Sequence, residues 1–221
     1  MYTKIQISID GPAASGKSAV GELLSKKLDY LFLDTGLMYR AATKIISDLN
    51  LFLDDLKNIK HSINNSSFEL VTVSGQARLL VNSEDITDYL KTTEIDRNVS
   101  TISKIPEVRE ILVSHQRKIA SHTNIVMVGR DIGSVVLPDA TLKIYLDASV
   151  EVRAKRRLND NKQIFSPNDF DIIKRDLIQR DKTDSSREHS PLMIPNGSVV
   201  IDTSDLNINE VIESILMELK N

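Results

Sequence analysis

Apolar runs alternate with amphipathic stretches along most of this chain. Lys4 to Asp10 (KIQISID) is rich in isoleucine and stops at Gly11-Pro12, which predicts a buried strand followed by a break. From Lys17 to Leu28, Val20, Leu23, Leu24 and Leu28 recur at helical spacing, so strand, loop and helix open the chain. Tyr30 to Asp34 is a second short apolar run, and a helix is expected from about Leu37 to Leu49. Three more strands are expected at Ile125 to Val128, Leu142 to Leu146 and Ser198 to Ile201. Helical patterns at Val150 to Leu158, Asn168 to Asp181 and Asn207 to Leu219 separate and close them. This alternation predicts an α/β fold, a parallel sheet with helices on both faces.

The middle of the chain breaks the rhythm. His61 to Ser67 is polar and suits a loop. Phe68 to Val73 and Ala77 to Val81 are β-like runs around Ser74-Gly75-Gln76, the pattern of a hairpin. A polar helical segment to about Ser103, then Pro106 and a helix to Ala120, lead back to the alternating part. The region is expected to be an insertion carried on the parallel core.

Composition narrows the function. At 221 residues, with 41% apolar and 27% charged positions, the chain suits one globular domain with a sizeable insertion. A net charge of −3 argues against non-specific nucleic-acid binding. The absence of cysteine removes disulfides, thiolate metal sites and thiol catalysis. No apolar run reaches the length of a membrane span, and MYTKIQISID has no signal-peptide pattern, so a cytoplasmic protein with no membrane partner is expected.

Gly11-Pro12-Ala13-Ala14-Ser15-Gly16-Lys17-Ser18 satisfies G-x-x-x-x-G-K-[ST] between an expected strand and an expected helix. Such a loop wraps successive backbone N–H groups around phosphate at a helix N-terminus. Lys17 is placed to bridge the β- and γ-phosphates of ATP, and Ser18 to hold Mg²⁺ through its hydroxyl. The expected strands end without the adjacent Asp-Glu of motor ATPases, and Asn161-Lys162 is followed by Gln163-Ile164 rather than by a guanine reader. Arginines instead gather at element ends: Arg40, Arg130, Arg153, Arg156, Arg157, Arg180 and Arg187. Guanidinium groups grip phosphate in planar, bidentate fashion. Together with the loop they point to a kinase whose acceptor is itself a phosphate.

The stretches IDGPAASGKS, LDTGLMYR, IPEVRE, VGRDIGSVVLPDA, KIYLDAS with RAKRR, RDKTDSSREHSPL and VIDTS occur in that order, and in them the chain resembles the bacterial cytidylate kinases, nucleoside monophosphate kinases of the phosphate-loop class. The resemblance implies a five-stranded parallel core made of about 1–36, 106–150 and 185–221. It also implies a monophosphate-binding insertion at about 37–105 and a lid at about 153–170. It implies ATP as donor and CMP or dCMP as acceptor; nothing in the sequence demands an oligomer, so a monomer is expected. By motif position, Thr35, Arg40, Ser100, Arg109, Arg130, Asp131, Asp184 and Arg187 are implied to contact CMP. Arg109, Arg130 and Asp131 would read the base, Arg40 its phosphate and Asp184 the sugar hydroxyls. Arg187 would neutralise the transferred group, with Arg157 in the lid and Lys17 and Arg130 also in the catalytic set. Leu90-Lys91 stands where the family often carries Ile-Arg, and no contact is assigned there.

Plainer readings stand beside these. Arg153, Arg156 and Arg157, next to Asp147 and Glu151, also suit a solvated helix face. Asp131 and Thr35 suit helix capping. Tyr39 reads as packing, and His61, His115, His122 and His189 show no metal-ligand spacing. A kinase for another monophosphate (UMP or AMP) shares loop and core, and a nucleotide-sensing switch without turnover is the alternative from another class.

Overall fold

The computed structural model describes residues 4–73, 76–160, 166 and 169–220, apart from the side chains of Thr72, Gln76, Lys91 and Thr93. The chain opens with β1 (Gln6–Asp10), α1 (Lys17–Leu28), β2 (Leu31–Asp34) and α2 (Thr35–Asp48). It continues through α3 (Leu56–Asn64), β3 (Phe68–Val73), β4 (Gln76–Val81), β5 (Glu84–Asp85), α4 (Thr93–Ile102) and α5 (Pro106–His122). It ends with β6 (Ile125–Val128), β7 (Leu142–Asp147), α6 (Val150–Asp160), α7 (Phe170–Ser185), β8 (Val199–Asp202) and α8 (Ile208–Lys220). Five strands form a sheet in the order β2-β6-β1-β7-β8, and a separate three-stranded sheet has the order β3-β4-β5. By contact the chain divides into two compact units, one of Met1–Leu31 with Asn124–Asn221 and one of Phe32–Thr123.

In the first unit β1 runs parallel to both β6 and β7, and β7 parallel to β8. Ile7 and Ile9 of β1, Ile125 and Met127 of β6, and Ile144 and Leu146 of β7 are wholly buried. Helices cover such sheets on both sides, and each of these side chains contributes about 1.5–3 kcal/mol by leaving water. On α8, Val211, Ile212 and Ile215 form the buried stripe that the helical spacing predicted. The carboxyl ends of β1, β6, β7 and β8 deliver, in turn, Asp10 with the phosphate loop, Gly129-Arg130-Asp131, Ala148 and Thr203. That edge is where ligands collect in open parallel sheets.

In the second unit α2 packs on α4 and α3 on α5, while β3 and β4 pair antiparallel from Phe68–Val81 to Val73–Gln76. Ser74 and Gly75 of the expected hairpin turn lie outside the described residues. Three expectations need correction here. His61 to Asn64 is not loop but the last turn of α3: Ile59 and Ile63, one turn apart, are fully buried, and Asp55 caps the helix by accepting from Asn58 N. Two anchors and a cap suffice although, apart from the exposed Leu56, every other position is polar. Asp34, not Thr35, caps α2, accepting from Gly36 N at 2.9 Å, so the helix begins at Thr35 rather than Leu37. Finally, β5 adds a third strand to the hairpin, tied by Arg78 to Asp85 and Asp88.

Candidate active site

The phosphate loop leaves β1 at Gly11, where φ is +148° and an added Cβ would lie 2.0 Å from the Leu146 carbonyl oxygen. Only glycine lets the chain turn that close to β7. The loop ends at Gly16, the N-cap of α1. Lys17 is 6% exposed, and its ammonium donates to Pro12 O at 2.5 Å and Ser15 Oγ at 3.1 Å, which holds the cation over the loop. Ser18 follows on the exposed side of the first turn.

Two arginines of α6 brace this loop. Arg153 is buried; it donates to Ala148 O at 2.9 Å and Ala13 O at 3.1 Å and pairs with Asp181 at 2.7 Å. Asp181 also accepts from Ala13 N at 3.4 Å, so one ion pair holds both main-chain polar groups of Ala13. Ala13 itself packs with Ala154, Ile173 and Leu177, between α6 and α7. Arg156 donates to Thr203 Oγ1 at 2.9 Å and Thr203 O at 2.6 Å. The solvated-face reading therefore fails for both: Arg153 and Arg156 have main-chain oxygens to satisfy, and burial makes those bonds worth more than hydration. Arg157, on the same helix, is half-buried. Within the expected lid, 161–165, 167 and 168 lie outside the described residues, as does the expected helix start at Asn168.

After β6 the chain makes one wide helical turn, Ile132–Val136, in which Val135 N and Val136 N both donate to Asp131 O. Such wide turns concentrate at functional sites. The Asp131 side chain makes no cap bond, which corrects the capping alternative for it. Asp10 does that work from the end of β1: Oδ1 accepts from Ile132 N and Oδ2 from Gly133 N, each at 2.7 Å. Arg130, just before the turn, donates through Nε to Asp184 Oδ2 at 2.9 Å, and Arg187 donates to Asp184 Oδ1. Asp184 is 1% exposed. Three residues spread over 58 positions thus form one buried cluster in which two guanidiniums share one carboxylate, leaving a net positive charge beside Asp131.

The second unit carries the remaining expected residues. Arg40 on α2 pairs with Asp96 on α4, one turn before Ser100, which is half-buried. Arg109 on α5 is 4% exposed; it donates to Ser103 O at 3.1 Å, and its guanidinium lies 5.3 Å from the centre of the Tyr39 ring. Tyr39 is thus packing, as expected, and gives Arg109 a cation–π platform. Thr35 is buried on the first turn of α2. The His115 ring packs at a tilt of 58° against Phe68, centres 5.1 Å apart, and burial pushes its pKa down, so it is a neutral packing residue. Among the described residues no three His, Asp or Glu side chains gather as a metal cluster.

Sequence reasoning missed Asp10, Asp96, Asp181 and Thr203. Asp10 had a usable signal: a carboxylate closing a buried apolar strand must be satisfied by donors from elsewhere. The other three are ordinary polar residues whose partners lie 28 to 188 positions away, and no local pattern reveals those partners.

A sequence model of the cytidylate kinase family matches residues 7–221. The cytidylate kinase of Geobacillus sp. strain WCH70 is 42% identical over 221 residues, all of this chain and 98% of that protein. The cytidylate kinase of Streptococcus gordonii is 45% identical over 213 residues, 96% of this chain and 95% of that protein. Among solved structures, shikimate kinase from Bacteroides thetaiotaomicron superposes with a TM-score of 0.52 at 13% identity, covering 98% of this chain and 99% of that one. An uncharacterised protein from Eubacterium ventriosum gives a TM-score of 0.56 at 13% identity, covering 99% of each chain. At such low identity these likenesses speak for the phosphate-loop α/β fold alone. A family model over residues 7–221 and relatives 42–45% identical across nearly all of the chain place it in the cytidylate kinase family.

Proposed function

We propose that the chain transfers the γ-phosphoryl group of ATP to CMP and dCMP, giving ADP with CDP or dCDP. An oxygen of the acceptor phosphate forms the new bond to the γ-phosphorus as the bond to the β–γ bridging oxygen breaks. The acceptor is already an anion, so no strong base is needed; positioning and charge neutralisation carry the catalysis. The observation that best supports this is the gathering of Arg130, Asp184 and Arg187 in the unit that holds the phosphate loop.

In this reading residues 11–18 cradle the ATP phosphates, Lys17 bridges β and γ, and Arg187 and Arg157 neutralise charge on the group in flight. Arg40 holds the CMP phosphate, Thr35 and Ser100 add contacts to CMP, and Asp184 meets the sugar. Arg109 and Arg130 donate to O2 and N3 of cytosine, and Asp131 accepts from its amine. Uracil carries a carbonyl where cytosine carries that amine, so a buried acceptor there discriminates against UMP. The hydroxyl of the exposed Ser18, with no acidic cluster among the described residues, fits Mg²⁺ held mostly by nucleotide phosphates and water. When bound, the ion would offset charge on the donor phosphates. The same reading has the enzyme work as a cytoplasmic monomer, and light scattering at assay concentration checks the oligomeric state.

A coupled assay offering CMP, dCMP, UMP and AMP separately is expected to show turnover on the two cytosine nucleotides well above the others. AMP as the best acceptor would overturn the assignment, and absence of ADP release with ATP and CMP together would revive the non-catalytic switch. Family membership counts against both. A second expectation concerns the brace on the loop. Arg153→Met keeps the stem but leaves Ala13 O and Asp181 without their cation. The KM for ATP should rise about tenfold, since a loop main chain out of place loses phosphate bonds worth about 1–3 kcal/mol. The KM for CMP should move little, and steady-state kinetics in both substrates separates the two.

A further inference from the structure

We propose that Asp10 is the positioning residue for base recognition: by holding the main chain of Ile132 and Gly133, it fixes the turn that presents Arg130 and Asp131. The idea rests on the assignment of Asp131 to the cytosine amine made above. Asp10 touches neither nucleotide in that assignment. It is the last residue of β1, adjacent to Gly11, so it joins the start of the phosphate loop directly to the turn that reads the base.

Two independent features of the geometry carry this. The first is the grip itself. Both carboxylate oxygens of Asp10, wholly buried, accept from successive backbone amides at 2.7 Å, at the N-terminal edge of a turn whose own first residue supplies no cap. Those amides would otherwise be orphans inside the fold. The second is the fit of the turn against β1. Ser8 and Asp10, two apart, face it together, and an added Cβ at Gly133 would lie 2.8 Å from Ser8 Oγ, 3.1 Å from Pro195 Cγ and 3.2 Å from Asp10 Oδ2. The turn can seat on Asp10 only because position 133 has no side chain.

The grip depends on charge. Burial pushes the Asp10 pKa up to about 6, against the two amide bonds that pull it down. Asp131, from the turn, also raises it, and Lys17, from α1, lowers it. Tyr145, its register partner on β7, has a phenol pushed up by burial and stays neutral. At pH 7 Asp10 is ionised and accepts both bonds; protonation below about 6 turns one oxygen into a donor facing an N–H group. Because the folded value lies above the ordinary one, the folded chain holds this proton more tightly than the unfolded chain. Acid therefore loosens the turn without removing this group's share of stability, which is present at low pH and lost as pH rises through about 6.

The test is the ratio of kcat/KM for CMP to that for UMP, in which the ionisation of the shared 5′-phosphate and of ATP cancels. Asp10→Asn is expected to lower the ratio at least about tenfold at pH 7.5, with the KM for ATP within about threefold, because one bidentate polar contact discriminates by about that much or more. Gly133→Ala, which pushes the turn off an intact Asp10, is expected to do the same. In the unaltered enzyme the ratio should fall between pH 7.5 and 5.5, and in Asp10→Asn it should be flat. An unchanged ratio in a folded Asp10→Asn enzyme, or a rise in the KM for ATP as large as the loss of selectivity, overturns the proposal. So does a flat ratio in the unaltered enzyme, a measurement that stands even if both variants fail to fold. Asp131→Asn separates the layers: if it leaves the CMP preference intact, the base-recognition assignment itself fails. If it removes the preference while Asp10→Asn does not, only the role of Asp10 does.

Discussion

Gly11→Ala is expected to reduce kcat/KM for ATP by about a thousandfold or more while the chain still folds. The new methyl group would sit 2.0 Å from the Leu146 carbonyl oxygen, 3.1 Å from its carbonyl carbon and 3.1 Å from Ser15 Oγ. Two of those three atoms are main chain, in a β7 residue paired with Ile201 of β8, and cannot swing aside as a side chain would. The loop must therefore lift by about 1 Å, the scale of misplacement that costs about a hundredfold in rate. Because several loop N–H groups leave the phosphates together, the losses compound. Gly16→Ala provides the internal control. Its Cβ would meet nothing nearer than Arg156 Nη1 at 4.0 Å, so only its φ of +94° is strained. A penalty of about 1–2 kcal/mol, near tenfold in rate, is expected there. Steady-state kinetics of both variants, with circular dichroism to show folding, decides the matter; a Gly11→Ala enzyme within tenfold of the parent would refute the reading.

That contrast shows where the sequence was legible. The motif named both glycines, and strand–loop–helix context made the phosphate loop readable, because it is local: eight adjacent residues whose chemistry does not depend on distant partners. The parallel strands were readable for a related reason. Buried strands leave apolar runs, and Ile125–Val128 emerges with the bounds expected of it. Helix α3 was not readable, since only Ile59 and Ile63 mark its buried face within a polar segment. The arginines divide along the same line. Arg130 and Arg187 could be placed by motif position, but that Asp184 holds both at once is a tertiary fact. For Arg153 the solvated-face alternative stays open in the sequence because helical spacing shows which side a residue occupies, not whether a carbonyl such as Ala13 O waits there. Asp131 and Thr35 failed as caps for different reasons. Asp131 yields to Asp10, a carboxylate the fold brings to Ile132 from 122 positions away, whereas Thr35 yields to its own neighbour Asp34 because the helix starts earlier than the apolar spacing shows.

Asp184→Asn should show what the shared carboxylate does. Asp184 accepts from Arg130 through one oxygen and from Arg187 through the other, with its side chain 2% exposed and theirs 19% and 8%. Asparagine keeps the shape but offers one acceptor and an NH₂ group, so one guanidinium loses its carboxylate oxygen and two like charges face each other undamped. Removing one member of a buried ionic cluster costs about 3–5 kcal/mol, because the remaining charge stays desolvated. For a chain of this length 1 kcal/mol corresponds to about 2–4 °C, so the melting temperature should fall by at least about 6 °C. Activity should fall further than stability requires. With one of the two arginines released from its geometry, kcat/KM for CMP is expected to drop about a hundredfold to a thousandfold at temperatures where the variant is fully folded. The decisive measurement is a double-mutant cycle of Asp184→Asn with Arg130→Met. Once Arg130 is gone, a single acceptor suffices for Arg187, so the second substitution should cost much less than it does alone. Strict additivity of the two losses would mean that Asp184 serves Arg130 and Arg187 in no coupled way, and the cluster would be a crossing of independent contacts rather than one unit.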